Sequence, residues 1–138
     1  MANASELLDQ LVGTFNEERW EAARTLWAEA GAQEEIGTGR RLDAAASVAN
    51  ARDWKTAFPD VRGTIESRVV EGNRAVGEIV WRGTNTGPLM GMPPTGKAIE
   101  IRAAMAVTEG GGKVVWVRHY LDVAGMMAQL GMAPGGPG

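Results

Sequence analysis

Hydrophobic residues recur every three or four positions through the first part of the chain, which is the spacing of one face of an α-helix. In the first such segment they are Leu7, Leu8, Leu11, Val12 and Phe15. A second helix is predicted over residues 17–30, where Gly31 would end it. A third, alanine-rich helix is predicted over residues 43–58, because Pro59 disfavours helical backbone in the residue before it.

Beyond these helices the hydrophobic pattern alternates, which is typical of half-buried strands. Residues 64–71 and 74–86 form a predicted hairpin around the turn Gly72-Asn73. The proline- and glycine-rich segment 87–96 is predicted to be a loop. Helices followed by antiparallel strands indicate an α+β fold.

A second hairpin, formed by residues 98–107 and 113–121, has the most regular alternation in the chain. We expect an odd number of residues in its loop, since this register keeps the two hydrophobic sets on one face. His119, the only histidine, then lies on the apolar face together with Met105. Trp116 lies on the opposite face, among charged residues.

A short helix over residues 122–130 follows and ends at Gly131. A chain of 138 residues is long enough to bury about two-thirds of its unfolded surface around one core. We therefore predict one domain over residues 1–131 and a flexible tail over residues 132–138.

Composition excludes several classes of function. The chain has no cysteine and one histidine, so only carboxylates could build a metal site, and we expect no metal. The net charge of −3, without a basic run, argues against nucleic-acid binding. No apolar stretch approaches the ~18 residues of a membrane span, and no signal-peptide pattern is present. We expect a soluble cytoplasmic protein with no membrane partner.

Short motifs are spread over nearly the whole chain. They are FPD at 58–60, GTNTG at 83–87, GMPPTGK at 91–97 and QLG at 129–131. In these motifs the chain resembles the SnoaL-like polyketide cyclase family. The resemblance implies a cone-shaped, nuclear-transport-factor-like α+β barrel, in which helices close a strongly curved antiparallel sheet around one pocket, usually as a homodimer. It also implies ring closure of a polyketide ester by intramolecular aldol chemistry, without metal or cofactor.

In that family the base is an aspartate near the end of the last strand, and its partner is a histidine on the neighbouring strand. Counted back from the QLG motif without gaps, these positions are His119 and Met105. The resemblance therefore implies His119 as the candidate base. A neutral imidazole with a pKa of about 6.5 accepts protons at pH 7, and burial lowers that pKa. The alternative is a core histidine that hydrogen-bonds to a backbone carbonyl.

Two more polar residues are candidate catalytic groups. Asp122, at the end of the strand that carries His119, is either an acid or base or, as we favour, the N-cap of the final helix. Asn85 stands where the family often has a histidine. It either donates a hydrogen bond to a substrate carbonyl or satisfies a strand end, and the residues alone leave this open.

Aromatic and methionine side chains predict a pocket for a hydrophobic small molecule inside the sheet. The candidate lining residues are Trp27, Trp54, Phe58, Trp81, Met90, Met92 and Met105. For Trp27 and Trp54, packing of helices on the sheet is the stronger explanation. Trp116 and Tyr120 lie among charges on the opposite face, which is typical of a subunit interface and predicts a homodimer.

Three functions are consistent with these residues. The first is a cyclase-type enzyme that performs acid–base, aldol-type chemistry on a polyketide-like substrate, with His119 as base and Asn85 as polariser. The second is hydrolysis of an epoxide, which related folds perform with an Asp-Arg-Asp arrangement around a water. Arg102 lies on the outer face in the predicted register and argues against it. The third is a protein that binds a hydrophobic ligand without converting it.

Overall fold

The structure, a computed structural model, describes residues 1–132 of the chain. In chain order its elements are α1 (Ala4–Asn16), α2 (Trp20–Thr25), β1 (Trp27–Ile36), β2 (Arg40–Asp43), α3 (Ala44–Ala57), β3 (Arg62–Glu71), β4 (Arg74–Thr84), β5 (Ala98–Gly110), β6 (Lys113–Leu121) and α4 (Val123–Gln129). The predicted α+β class is confirmed. Of the predicted tail, residues 133–138 lie outside the described part, and Met132 packs against the hydrophobic core.

The six strands form one curved sheet in the order β2-β1-β6-β5-β4-β3. All neighbouring strands are antiparallel except β1 and β6, which are parallel, so the expected all-antiparallel sheet is wrong at this pair. The edge strands β2 and β3 do not pair with each other. The sheet is therefore open, and the barrel expected from the resemblance is not closed. Helix α1 packs on β3, β4 and β5, while α3 packs on β1 and β2, so the core lies beneath these helices.

The first and third predicted helices are confirmed, and both begin at side-chain caps. At the start of α1, the Asn3 side chain accepts the Glu6 N–H at 2.9 Å, and the Glu6 carboxylate accepts the Asn3 N–H at 3.1 Å. At the start of α3, the Asp43 carboxylate accepts the Ala46 N–H at 2.8 Å. Within residues 1–132, no helix has both the length and the hydrophobicity needed to cross a membrane.

The predicted helix over residues 17–30 is wrong in its second half. Helix α2 ends at Thr25, and the chain continues as β1 alongside β6. The Leu26 carbonyl accepts the Val114 N–H at 2.8 Å, which joins the chain to the sheet at this point. A Cβ at Gly31 would lie 2.7 Å from the Val114 carbonyl oxygen. Glycine here permits the two strands to approach closely and does not end a helix, so tertiary pairing overrides the helical spacing.

The predicted faces of the β5–β6 hairpin are confirmed, but the expected odd loop is wrong: Gly110 pairs with Lys113, so two residues lie between the paired ends, and a register shift after Thr108 restores the expected alternation. Met105 pairs with His119, and Thr108 pairs with Trp116. His119 and Trp116 therefore lie on opposite faces of the sheet. A bulge after Thr108 turns Val114 into the core, where it is fully buried. The β3–β4 hairpin is confirmed as well.

Candidate active site

A cavity of about 120 Å³ lies between the inner face of the sheet and helices α1, α2 and α3. Six aromatic side chains line it: Phe15, Trp20, Trp27, Trp54, Phe58 and Trp81. Its volume is close to the roughly 150 Å³ of an apolar cavity that binds benzene, and below the ~300 Å³ at the lower end of ordinary ligand pockets. It therefore accommodates a molecule of about one ring, or one end of a longer molecule.

Most of the predicted binding residues meet at this cavity: Trp27, Trp54, Phe58, Trp81 and Met105. Trp27 reaches it from the first position of β1 and not from a helix. Trp81 and Met105 reach it from the neighbouring strands β4 and β5. The cavity is thus lined by both layers of the fold.

Met90 and Met92 are not among the cavity-lining residues, which corrects their predicted role. Both lie in the loop between β4 and β5, where Leu89 and Met92 form an isolated antiparallel bridge. This tight turn gives Met90 a φ of 50° and leaves it 67% exposed. At the base of the loop, the Gly87 N–H donates to the Ala57 carbonyl at 3.1 Å, so the loop is fastened to the end of α3.

Asn85 is fully buried, but it holds this loop and does not line the cavity. Its Nδ2 donates to the carbonyls of Ala57 at 3.1 Å and Gly87 at 2.9 Å. Its Oδ1 accepts the Thr95 N–H at 2.9 Å and the Thr95 hydroxyl at 3.0 Å. These four bonds use both donor hydrogens and both acceptor lone pairs of the amide. No hydrogen-bonding capacity remains for a substrate carbonyl.

Asp122 is exposed and caps α4. Its carboxylate accepts the Gly125 N–H at 2.8 Å, and the side chain is not among those that line the cavity. This is the contact of an N-cap, the alternative that the sequence favoured.

His119 lines the cavity from β6 and is only 8% exposed. The Trp81 indole Nε1 lies 3.3 Å from His119 Nε2. An indole N–H is only a donor, so Nε2 is the acceptor and the proton of the neutral imidazole is on Nδ1. Gly63 leaves the space that the Trp81 ring occupies, since a Cβ at that position would lie 2.5 Å from the indole ring. The sheet thus sets the tautomer of His119.

Burial in the apolar cavity lowers the pKa of His119 to about 4, although the nearby Glu35 carboxylate acts in the opposite direction. The imidazole is therefore neutral at pH 7. Within residues 1–132 its Nδ1 has no hydrogen-bond partner. Nδ1 is not among the fully enclosed unpartnered atoms, so part of its surface is accessible, and the His119 side chain lines the cavity.

Glu35 is a site residue that sequence reasoning missed. It pairs with His119 across the parallel strands β1 and β6, and its side chain lines the cavity while being only 1% exposed. The carboxylate accepts the Thr38 hydroxyl at 2.7 Å and the Asn50 Nδ2 at 3.1 Å, and it forms an ion pair with Arg40 Nε at 3.4 Å. A carboxylate has about four acceptor positions, so about one remains for the cavity.

Glu35 was missed because sequence patterning ended the second helix at residue 30 and assigned residues 32–36 to no element, so β1 was not recognised. Only a strand over residues 27–36 brings Gln33 and Glu35 to the same face, and both line the cavity. Glu34, between them, points to the outer face and pairs with Arg118 at 3.2 Å. The carboxylate beside the histidine therefore depends on β1 joining the sheet.

Among the described residues, the groups required for epoxide hydrolysis or for binding a metal ion are not assembled at this cavity. Arg102 pairs with Glu66 and its side chain is 69% exposed, so it lies on the outer face as predicted. Among residues 1–132, no group of three or more histidine, aspartate or glutamate side chains is placed to hold a metal ion.

The model of a protein family, SnoaL-like polyketide cyclase, matches residues 5–130 of the chain. The family match covers every helix and strand from α1 to α4 apart from the first residue of α1. No curated protein matches the chain.

Solved structures share the fold over nearly their whole length. IdmH from Streptomyces antibioticus, a candidate polyketide cyclase, is 27% identical over 93% of this chain and 98% of its own, with a TM-score of 0.83. A candidate polyketide cyclase from Acidithiobacillus ferrooxidans is 26% identical over 94% of this chain and 95% of its own, with a TM-score of 0.76. A protein with a ketosteroid isomerase-like fold from Catenulispora acidiphila, at 16% identity, 94% and 95% coverage and a TM-score of 0.80, shows likeness of fold alone.

Proposed function

The chain belongs to the SnoaL-like polyketide cyclase family, and on this basis we propose that it catalyses cofactor-independent acid–base chemistry on a small hydrophobic ketone of polyketide type. The reaction begins when a proton leaves the carbon next to a carbonyl group. The resulting enolate then attacks a second carbonyl of the same molecule in an aldol-type ring closure, and the alkoxide formed there takes up the proton that the base removed. Such a reaction needs one group that accepts the carbon-bound proton and another that stabilises the enolate oxygen.

The observation that carries this proposal is the pairing of Glu35 with His119 in an apolar cavity. The neutral imidazole offers its Nδ1–H to the substrate carbonyl, because Trp81 occupies Nε2. The Glu35 carboxylate accepts the proton from the adjacent carbon through its remaining acceptor position. A carboxylate base with a neutral imidazole donor is an established combination for removing a proton next to a carbonyl.

This assignment reverses the role that the sequence predicted for His119. An imidazole whose pKa is about 4 is a weak base at pH 7, since little is gained by protonating it. The same neutral state suits a hydrogen-bond donor, which keeps its proton throughout the reaction. The cavity's aromatic walls lower the local dielectric constant, which strengthens both interactions.

The proposal is tested with 1-tetralone, a two-ring aromatic ketone whose C2 protons exchange slowly with solvent. In D2O, proton NMR should show that the wild-type protein accelerates loss of the C2 signal above the buffer rate. Glu35→Gln should reduce this acceleration by at least about 10²-fold, as expected for removal of a general base. His119→Leu should reduce it by about 10²-fold, as expected for loss of one donor to an enolate oxygen.

Glu34→Gln is the matched control, because Glu34 precedes the base in β1 but pairs with Arg118 on the outer face. It should exchange 1-tetralone at the wild-type rate. An unchanged rate in Glu35→Gln would remove Glu35 from the mechanism. A wild type that binds the ketone but exchanges it no faster than buffer would support the ligand-binding alternative.

The homodimer remains part of the proposal. Trp116 lies on the outer face of the sheet, with the guanidinium groups of Arg41 and Arg118 at 4.8 and 5.8 Å from its ring centroid. Tyr120, on the same face of β6, is 44% exposed. A central aromatic group surrounded by charges is typical of a subunit contact, and a twofold axis would place this face against its own copy.

A further inference from the structure

The two oxygens of the Glu35 carboxylate have different numbers of partners. Oε1 accepts the Thr38 hydroxyl at 2.7 Å and lies 3.4 Å from Arg40 Nε. Within residues 1–132, Oε2 accepts only the Asn50 Nδ2, at 3.1 Å. Each carboxylate oxygen has about two acceptor positions, so the partners of Oε1 use both of them and Oε2 keeps one.

The remaining acceptor position belongs to the oxygen on the cavity side. Asn50, the partner of Oε2, lines the cavity from α3, whereas Thr38 and Arg40, the partners of Oε1, are not among the lining residues. Arg40 reaches toward solvent, since its side chain is 49% exposed while that of Glu35 is 2% exposed. The partners thus place Oε1 on the surface side of the carboxylate and Oε2 on the cavity side.

The side-chain amide of Asn50 matches both of its neighbours. Its Nδ2 donates to Glu35, and its Oδ1 accepts from Arg40 Nη2. A carboxylate only accepts and a guanidinium only donates, so a single orientation of the amide satisfies both. Arg40 therefore fixes the orientation of Asn50, and Asn50 fixes the position of Oε2.

We propose that Asn50, held by Arg40, is a positioning residue that keeps Glu35 Oε2 directed at the ligand as the atom that accepts the carbon-bound proton. This inference rests on the proposed function, in which Glu35 is the base. Without Asn50, only the partners of Oε1 would set the terminal torsion of the carboxylate, and such torsions are broad. An error of about 1 Å in the placement of a reacting group costs up to about 10²-fold in rate, so this hydrogen bond affects the chemical step.

The test measures kcat and KM for exchange of the C2 protons of 1-tetralone in D2O by proton NMR. Asn50→Leu keeps nearly the shape of the side chain and removes the donor to Oε2. Its kcat per folded molecule should fall by about 10- to 100-fold, while its KM stays within about 2-fold of the wild type. Asn73→Leu, at an exposed asparagine with one bond to the Glu109 carbonyl, is the matched control and should keep both constants.

A second variant acts from outside the cavity, because Asn50→Leu leaves a buried carboxylate with one partner fewer and can impair folding. Arg40→Lys keeps the positive charge, but one ammonium group cannot replace the planar fork that reaches Glu35 and Asn50 together. Its kcat should fall by about 3- to 10-fold, the effect of losing one hydrogen bond, with KM unchanged. Arg52→Lys, at an exposed arginine of α3 outside the cavity lining, should behave as the wild type.

Two results would overturn the positioning role of Asn50. One is a wild-type kcat per folded molecule in Asn50→Leu or in Arg40→Lys, with folding measured by circular dichroism, since a purely structural role changes only the folded fraction. The other is a raised KM with unchanged kcat in Asn50→Leu, which would mean that Asn50 binds the ketone itself.

These results differ from those expected if the proposed chemistry fails. If Glu35→Gln abolishes exchange but both positioning variants keep the wild-type kcat, Glu35 remains the base and the role of Asn50 is refuted. If the wild type exchanges 1-tetralone no faster than buffer, or Glu35→Gln exchanges it at the wild-type rate, the proposed chemistry fails and Asn50 has no base to position.

Discussion

Glu35 and His119 face each other across the parallel strands β1 and β6, and both side chains line an apolar cavity. On the other side of His119, β5 contributes Met105 and no second polar group. The carboxylate partner of the histidine therefore comes from a strand that sequence patterning did not predict, since residues 27–30 were assigned to a helix and residues 32–36 to no element. The ionisation of His119 can be measured without interference from other imidazoles, because the chain has only one histidine.

The pH dependence of stability should report the buried, neutral state of His119. Its pKa is lowered from 6.5 to about 4 in the folded protein, so the unfolded state binds more protons between these values. The stabilisation is complete above pH 6.5 and is lost as the pH falls through 4. Its full size is about 3 kcal/mol, from the linkage of pKa to free energy. Denaturant unfolding gives the free energy of unfolding at pH 7 and at pH 4 for the wild type and for His119→Gln. Between these pH values the wild type should lose up to about 3 kcal/mol more than the variant. An equal loss in both proteins would contradict the prediction.

Replacing Trp81 by phenylalanine should release the tautomer of His119. The indole N–H that occupies Nε2 at 3.3 Å disappears, while the aromatic packing is largely kept. Nitrogen-15 NMR of the imidazole should show the Nδ1–H tautomer in the wild type and a mixture of both tautomers in Trp81→Phe. Trp54→Phe, which also changes a cavity-lining indole but not this contact, should leave the wild-type tautomer unchanged. A mixture already present in the wild type would refute the assignment.

Asn85→Ala should damage stability and not chemistry. The substitution strands the carbonyls of Ala57 and Gly87 and the Thr95 N–H in a buried region. We expect a loss of about 2–4 kcal/mol in the free energy of unfolding, measured by urea denaturation. The folded fraction should exchange 1-tetralone at the wild-type rate. Asn73→Ala, which removes one exposed bond to the Glu109 carbonyl, should cost less than about 1 kcal/mol.

Trp116→Glu should convert a homodimer into a monomer. A carboxylate at the centre of the outer face cannot be buried against a second copy without a large desolvation cost. Sizing chromatography with light scattering should show the change, with helix content by circular dichroism unaltered. Trp116→Phe keeps an aromatic group and should remain dimeric. A wild type that is already monomeric, or a glutamate variant that still dimerises, would reject the interface.

Much of the fold follows from local patterning. The helical spacing predicts α1, and the alanine-rich segment after Asp43 predicts α3. Within the β5–β6 hairpin, alternation is enough to place His119 opposite Met105 and Trp116 on the other face. These elements are readable because their hydrophobic periods are set by neighbours a few residues apart.

The candidate site was only partly predictable. Trp27, Trp54, Phe58, Trp81 and Met105 were expected at the pocket and do line the cavity. Met90 and Met92 were assigned from residue type, and the turn at 89–92 keeps them from the cavity. Asn85 was expected on the inner face of its strand, but hydrogen bonds to the surrounding loop use all the donors and acceptors of its amide. Residue type suggests which side chains could bind a ligand, while backbone geometry selects those that reach it.

The sequence by itself determined the α+β class, the faces of the last hairpin and the inward position of His119, because each depends on contacts between residues close in the chain. Only the tertiary structure decided that residues 27–36 form a strand, because their partner β6 lies about 80 residues further along. That pairing brings Glu35 beside His119 and α3 with Asn50 over the cavity. The state of His119 is likewise a property of the tertiary structure. Its tautomer depends on Trp81, and its pKa depends on burial and on Glu35; neither residue is near His119 in the sequence.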